Sequence, residues 1–231
     1  MSEMVAIVGN SGTGKTTSLR NLNPEETFII SVTGKSLPFP KAKKNYVAIQ
    51  KDEKLKKYVG NYFVSSDSEK ICNVLKMIAV QMPHIKNVVL DDLQYIMSFE
   101  SMDRASEKNF DKFVELASHY FNILKTASSM DDGVHVIVTS HADNEGDAIN
   151  PYFKIKTIGK LLDKMITIEG LFTYVLFTTV VQDVDGPKYK FITNSDGTTT
   201  AKTPMGMFPE KLIDNDIQLV IDIINQYNGA E

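Results

Sequence analysis

Eight consecutive residues, Gly9-Asn10-Ser11-Gly12-Thr13-Gly14-Lys15-Thr16, have the types and spacing G-x-x-x-x-G-K-[ST] of a phosphate cradle. Glycines let the backbone wrap closely around an anion and turn bare N–H groups toward it. Lys15 reaches the β- and γ-phosphates in such a cradle, and the Thr16 hydroxyl can ligate Mg²⁺. Gly9, Asn10, Ser11, Gly12, Thr13, Gly14, Lys15, Thr16 and Thr17 are therefore the expected nucleotide-binding residues.

Turnover also needs a metal ligand, a group that orients water, and a group that responds to the terminal phosphate. Val88-Val89-Leu90-Asp91-Asp92 ends an apolar run in two acids, which rarely serves packing. Asp91 is expected to hold the metal through water. Asp92 is the first choice for the catalytic base, with Glu100 as the alternative. Thr139-Ser140-His141 is a polar sensor candidate; the alternative role for His141 is to satisfy loop carbonyls. Phosphoryl transfer gains from an added cation, often an arginine from a neighbouring subunit. Arg20 and Arg104 are the only arginines, so a lysine of the segment Lys154–Lys164 is the expected finger, Lys160 first and then Lys156. Lysines flanking a surface helix are the plainer reading of that segment.

These groups require particular elements beneath them. Met4–Val8 reads as a buried strand feeding the cradle, followed by a helix over Thr17–Leu22 that Pro24 closes. Thr27–Val32, Asn87–Asp92 and Val134–Ser140 read as further strands, with a possible short one at Tyr46–Ile49. Ser66-Asp67-Ser68-Glu69 has capping-box spacing and opens a helix that Pro83 ends. A second helix carries Phe110, Phe113, Leu116, Ala117, Tyr120 and Leu124 on its apolar positions. Strands alternating with helices predict an α/β fold around a mainly parallel sheet. From about residue 171 the pattern changes to β-hairpins, with turns near Asp185-Gly186 and Asp196-Gly197, and to a last helix capped near Asp214–Asp216.

At 231 residues the expectation is one domain, 1–231, with the hairpins and helix as a C-terminal extension over about 171–231. No apolar run reaches bilayer length, and the N-terminus does not read as a signal peptide. The single cysteine, Cys72, suits a reducing cytoplasm. Net charge is −4, yet Lys35–Lys57 holds eight lysines against Asp52 and Glu53. That stretch is either a solvated surface or a set of nucleic-acid phosphate contacts, with Tyr46 and Tyr58 for base stacking.

Over nearly its whole length the chain resembles the phage-encoded RecA-like P-loop ATPases of the Sak type, grouped with AAA-family ATPases or single-strand annealing proteins. The resemblance is carried by Gly9–Thr17, Val88–Tyr95, Thr139–His141, Lys156–Lys164, Ala201–Phe208 and Asn215-Asp216. It implies a RecA-like P-loop NTPase fold, ATP and Mg²⁺ as cofactors, and ATP hydrolysis. It further implies a homo-oligomeric ring or filament, single-stranded DNA and a phage single-strand-binding protein as partners, and the host cytoplasm as location. One departure stands out: the second strand runs into Ser31-Val32-Thr33-Gly34-Lys35, where related ATPases often carry an acid. Two other readings use the same cradle. One is a small-molecule or nucleotide kinase, which the scarcity of arginine disfavours. The other is a nucleotide-dependent switch or loader.

Overall fold

The computed structural model describes residues 1–54, 56–108, 111–147, 149–158 and 166–229. Among them, one eight-stranded sheet organises the molecule. Its strands are β1 (Glu3–Val8), β2 (Thr27–Ser31), β5 (Tyr62–Val64), β6 (Asn87–Asp91), β7 (His135–Ser140), β10 (Tyr174–Asp183), β11 (Gly186–Ile192) and β12 (Leu212–Asp214). The spatial order is β12-β11-β10-β1-β7-β6-β2-β5. β1 pairs in parallel with β7 and β10, and β6 with β7 and β2; β2 also runs parallel to β5. Within this sheet, the antiparallel pairs among the described residues are β10–β11 and β11–β12. The expected mainly parallel α/β sheet, with antiparallel strands from the C-terminal part, is thus present.

The central strands are apolar at almost every position because both of their faces are covered. In β1, Met4, Ala6 and Val8 face one core and Val5 and Ile7 the other. The first core is closed by α2 (Ser68–Gln81), α3 (Tyr95–Asp103) and α4 (Asp111–Ser128), through Ile71, Leu75, Ile96, Tyr120 and Leu124. The second is closed by the C-terminal helix α5 (Ile217–Tyr227) and a 3-10 helix, Thr16–Asn21, through Leu19, Leu22, Val220 and Ile224. Each such side chain, fully buried, contributes about 1.5–3 kcal/mol of transfer free energy.

Several expectations are corrected in detail. The helix after the cradle is a six-residue 3-10 helix. Its two leading threonines are stiff β-branched residues, and Asn23 precedes a proline that disfavours helix, so a longer α-helix cannot propagate. Tyr46–Ile49 is not a strand. Tyr46 ends the one-turn helix α1 (Ala42–Asn45), and only an isolated bridge joins Ala48 to Tyr62. The segment's strands are instead β3 (Gln50–Asp52) and β4 (Lys57–Val59), a separate antiparallel hairpin. At the start of α2 the cap is Asp67, which accepts from the Lys70 N–H at 3.0 Å, not Ser66. The turn after β10 forms as expected, with Asp183 opposite Gly186, but β10 itself is an inner strand beside β1. Asp216 caps α5 by accepting from the Gln218 N–H. Phe110 lies outside the described residues.

Candidate phosphate-binding site

The carboxyl ends of β1, β6 and β7 lie side by side, so the loops leaving them share one crevice, where ligands bind in open α/β sheets. A cavity of about 410 Å³ opens there, lined by Gly12, Lys15, Thr16, Lys35, Asp91, Asp92, His141 and Tyr189 among others.

The loop after β1 turns through Gly12 (φ 79°) and Gly14 (φ 96°), conformations that an L side chain rarely adopts. Gly9 is needed for closeness: a Cβ there would lie 1.9 Å from Thr178 Oγ1 on β10. Thr13 ties the loop down, its hydroxyl donating to Asn10 O (2.7 Å) and sharing a hydrogen bond with Thr178 (2.5 Å). The Lys15 ammonium donates to Gly9 O (2.8 Å) and Asn10 O (2.9 Å), folded onto its own loop. Burial lowers its pKa, against the pull of Asp92 and Asp91.

Beneath the loop, Asp91 Oδ1 accepts from the Thr16 hydroxyl (3.0 Å) and from the Thr139 hydroxyl (2.8 Å). Thr139 Oγ1 in turn accepts the Asp92 N–H (2.8 Å), which locks the turn after β6 to the end of β7. Asp92 occupies the left-handed region at φ 59°, as a short polar side chain can, and this turns its carboxylate into the cavity. Burial, and secondarily the neighbouring Asp92, push the Asp91 pKa up to about 6. A buried carboxylate so destabilised, beside a hydroxyl oxygen, suits a hard cation that keeps waters and phosphate oxygens as its remaining ligands. Thr16 and Asp91 are the residues that would hold Mg²⁺.

A family model for AAA domains matches residues 1–205. The chain belongs to the AAA domain family (AAA_24). No curated protein matches it significantly. Among solved structures, the KaiC-like protein of the hyperthermophilic archaeon Pyrococcus horikoshii OT3 is 14% identical, with a TM-score of 0.45 over 91% of this chain and 88% of that one. The family establishes a P-loop ATPase domain that binds nucleotide.

In this AAA domain the expected residues separate into two groups. The cradle residues, Asp91, Asp92 and His141 come together. His141 Nε2 stands 3.8 Å from Asp92 Oδ1, and burial together with Lys15 lowers its pKa. Glu100 is not brought to the cavity. It pairs with Arg104 (3.0 Å) and His119 (2.8 Å), fastening α3 to α4. Lys160 lies outside the described residues. Lys156 is exposed and adjoins His141, whose carbonyl accepts the Lys156 N–H (2.8 Å) at the base of the hairpin β8 (Ala142–Asn144)–β9 (Phe153–Ile155). Tyr46 is buried edge-on against Phe39, which removes it as a stacking platform.

Sequence reasoning missed Lys35, Tyr189 and Thr178 as site residues. Thr178 and Tyr189 carry no local signal, since they reach the loop only through pairing of β10 with β1 and of β11 with β10. Lys35 had one: it lies in the stretch Ser31–Lys35 at the end of β2, which lacks the acid that the resemblance leads one to expect.

Proposed function

We propose that this AAA domain is a phage-encoded, Mg²⁺-dependent ATPase that acts on single-stranded DNA in recombination or replication, as a homo-oligomer in the host cytoplasm. The observation that carries the hydrolytic part is the convergence of Lys15, Thr16, Asp91, Asp92 and His141 on one cavity. A bound Mg²⁺ would counter charge developing on the phosphates. The chain does the rest: loop N–H groups and Lys15 bind the triphosphate, Thr16 and Asp91 keep oxygens aimed at the metal, and Asp92 accepts the proton of the attacking water. A neutral His141 offers the terminal phosphate a hydrogen bond without adding fixed charge.

The DNA part is supported by exposed lysines. Lys41, Lys43, Lys44, Lys51, Lys54, Lys56 and Lys57 are all exposed, four of them in or next to the β3–β4 hairpin. Tyr58, half-buried on β4, is the available stacking residue. Oligomerisation rests on the family resemblance, with Lys160 or Lys156 as the cation offered to a neighbouring site.

Measuring ATP turnover with and without oligonucleotide, at about 50 and 200 mM salt, tests the reading. Turnover should rise with single-stranded DNA, and the rise should collapse at the higher salt. Equal rates with and without DNA would remove the DNA part. Phosphorylated small molecule in place of free phosphate would make the protein a kinase. Lys15→Ala should abolish nucleotide use; an active Lys15→Ala protein would overturn the whole assignment.

A further inference from the structure

Lys35 belongs by sequence to the lysine stretch assigned to DNA, yet it lines the phosphate cavity. The turn after β2 delivers it there. Gly34 N–H donates to Ser31 Oγ at 3.2 Å, and Gly34 adopts φ +65°. A Cβ at Gly34 would lie 2.9 Å from Val64 Cγ1, so the turn requires glycine immediately before Lys35. The ammonium is then held between two groups of the opposite wall: Asp92 Oδ2 at 3.4 Å and the Tyr95 ring, with its centroid at 5.2 Å.

Neither arginine is available for this place. Arg20 donates to Asn215 O (2.6 Å), and Arg104 is held by Glu100, Glu107 and Glu115. Lys35 is thus a cation poised beside the residue expected to activate water. Its side chain remains 66% exposed, which leaves it free to move. An ion pair this exposed contributes only about 0–1 kcal/mol, so a multiply charged phosphate competes well for the ammonium.

We propose that Lys35 is a second cation for the terminal phosphate, supplied by the same chain, and that its pairing with Asp92 is a resting state which the triphosphate breaks. This rests on the ATPase reading and adds a catalytic residue to it. When Lys35 moves to the phosphate, two things happen together: a positive charge joins Lys15 at the transferring group, and Asp92 is released to act. The water oxygen then bonds to the γ-phosphorus as the bond from that phosphorus to the ADP oxygen breaks. The electron pair leaves with ADP, the water proton passes to Asp92, and Lys35 keeps its proton throughout. ADP has no γ-phosphate, so Lys35 returns to Asp92 after release.

The test compares Lys35→Ala, Lys35→Met and Lys35→Arg with the full wild-type chain, for turnover at saturating ATP and for binding of a non-hydrolysable analogue. Replacement of a phosphate-side cation should lower kcat by about 10²-fold or more. Analogue affinity should fall by no more than about tenfold, because the contact with the terminal phosphate replaces, rather than adds to, the pair with Asp92. Lys35→Arg should recover most of the rate. Lys35→Met keeps the stem, which separates loss of charge from loss of packing. Turnover within twofold of wild type in both the Ala and Met variants would overturn the proposal. So would parallel loss of analogue binding, or an Arg variant as slow as Ala. A wild-type chain that binds no analogue would instead defeat the nucleotide site itself.

Discussion

Asp91 shows how a binding site lowers the stability of the protein that carries it. Its folded-state pKa of about 6 lies above the ordinary 3.8, so the native state holds this proton more tightly than the unfolded chain does. The stabilisation is fully present below the unfolded value and is lost as pH rises through about 6. At neutral pH the ionised carboxylate therefore costs the ligand-free protein on the order of 2–3 kcal/mol. Asp91→Asn keeps an oxygen for Thr16 and Thr139 but removes the charge. Thermal denaturation without ligand should show it more stable than wild type at about pH 7.5, with the gain gone by about pH 4. Mg²⁺-dependent nucleotide binding should be lost in the same variant.

At the scale of elements, two contacts make different demands. Glu100 joins α3 to α4 through His119 and pairs with Arg104 at the end of its own helix, outside the cavity lining. Glu100→Gln should lower stability by about 1 kcal/mol and leave kcat unchanged, whereas Asp92→Asn should lower kcat by about 10²–10⁴-fold. Steady-state kinetics beside chemical denaturation decides between the two acids. The second contact is the seam between the β1 loop and β10. Gly9→Ala forces a methyl group against Thr178 Oγ1, and Thr178→Ala deletes that atom. The Gly9→Ala/Thr178→Ala pair should be more stable than Gly9→Ala alone, a coupling that a double-mutant cycle in urea measures directly.

For the whole molecule, the sheet brings the cradle, the acids and the sensor to the carboxyl ends of its inner strands, while the β3–β4 hairpin stands outside it as a separate two-stranded unit. Nucleotide chemistry and the lysine-rich surface are therefore separable. Replacing Lys51, Lys54, Lys56 and Lys57 together by alanine should leave DNA-free turnover intact. It should also reduce the salt dependence of DNA binding by about one logarithmic unit of slope for each phosphate contact removed. Binding titrations over a salt series read this; an unchanged slope would take the hairpin out of the DNA surface.

Much of this was legible in the residues because it depends on local chemistry. The glycine spacing of the cradle, the apolar runs of the central strands and the acids ending β6 each report their own conformation or burial. Tertiary structure decided what depends on pairing between distant segments. Asp92 and Glu100 are both acids placed after the same strand, yet a left-handed turn aims one into the cavity and a helix carries the other to Arg104 and His119. Lys35 and Lys57 bound one basic stretch, yet a glycine turn sends only the first toward the phosphate site. Thr178 meets Gly9 solely because β10 inserts beside β1. A residue's type and neighbours set what chemistry it can do; strand order and backbone hand set which groups it does it with.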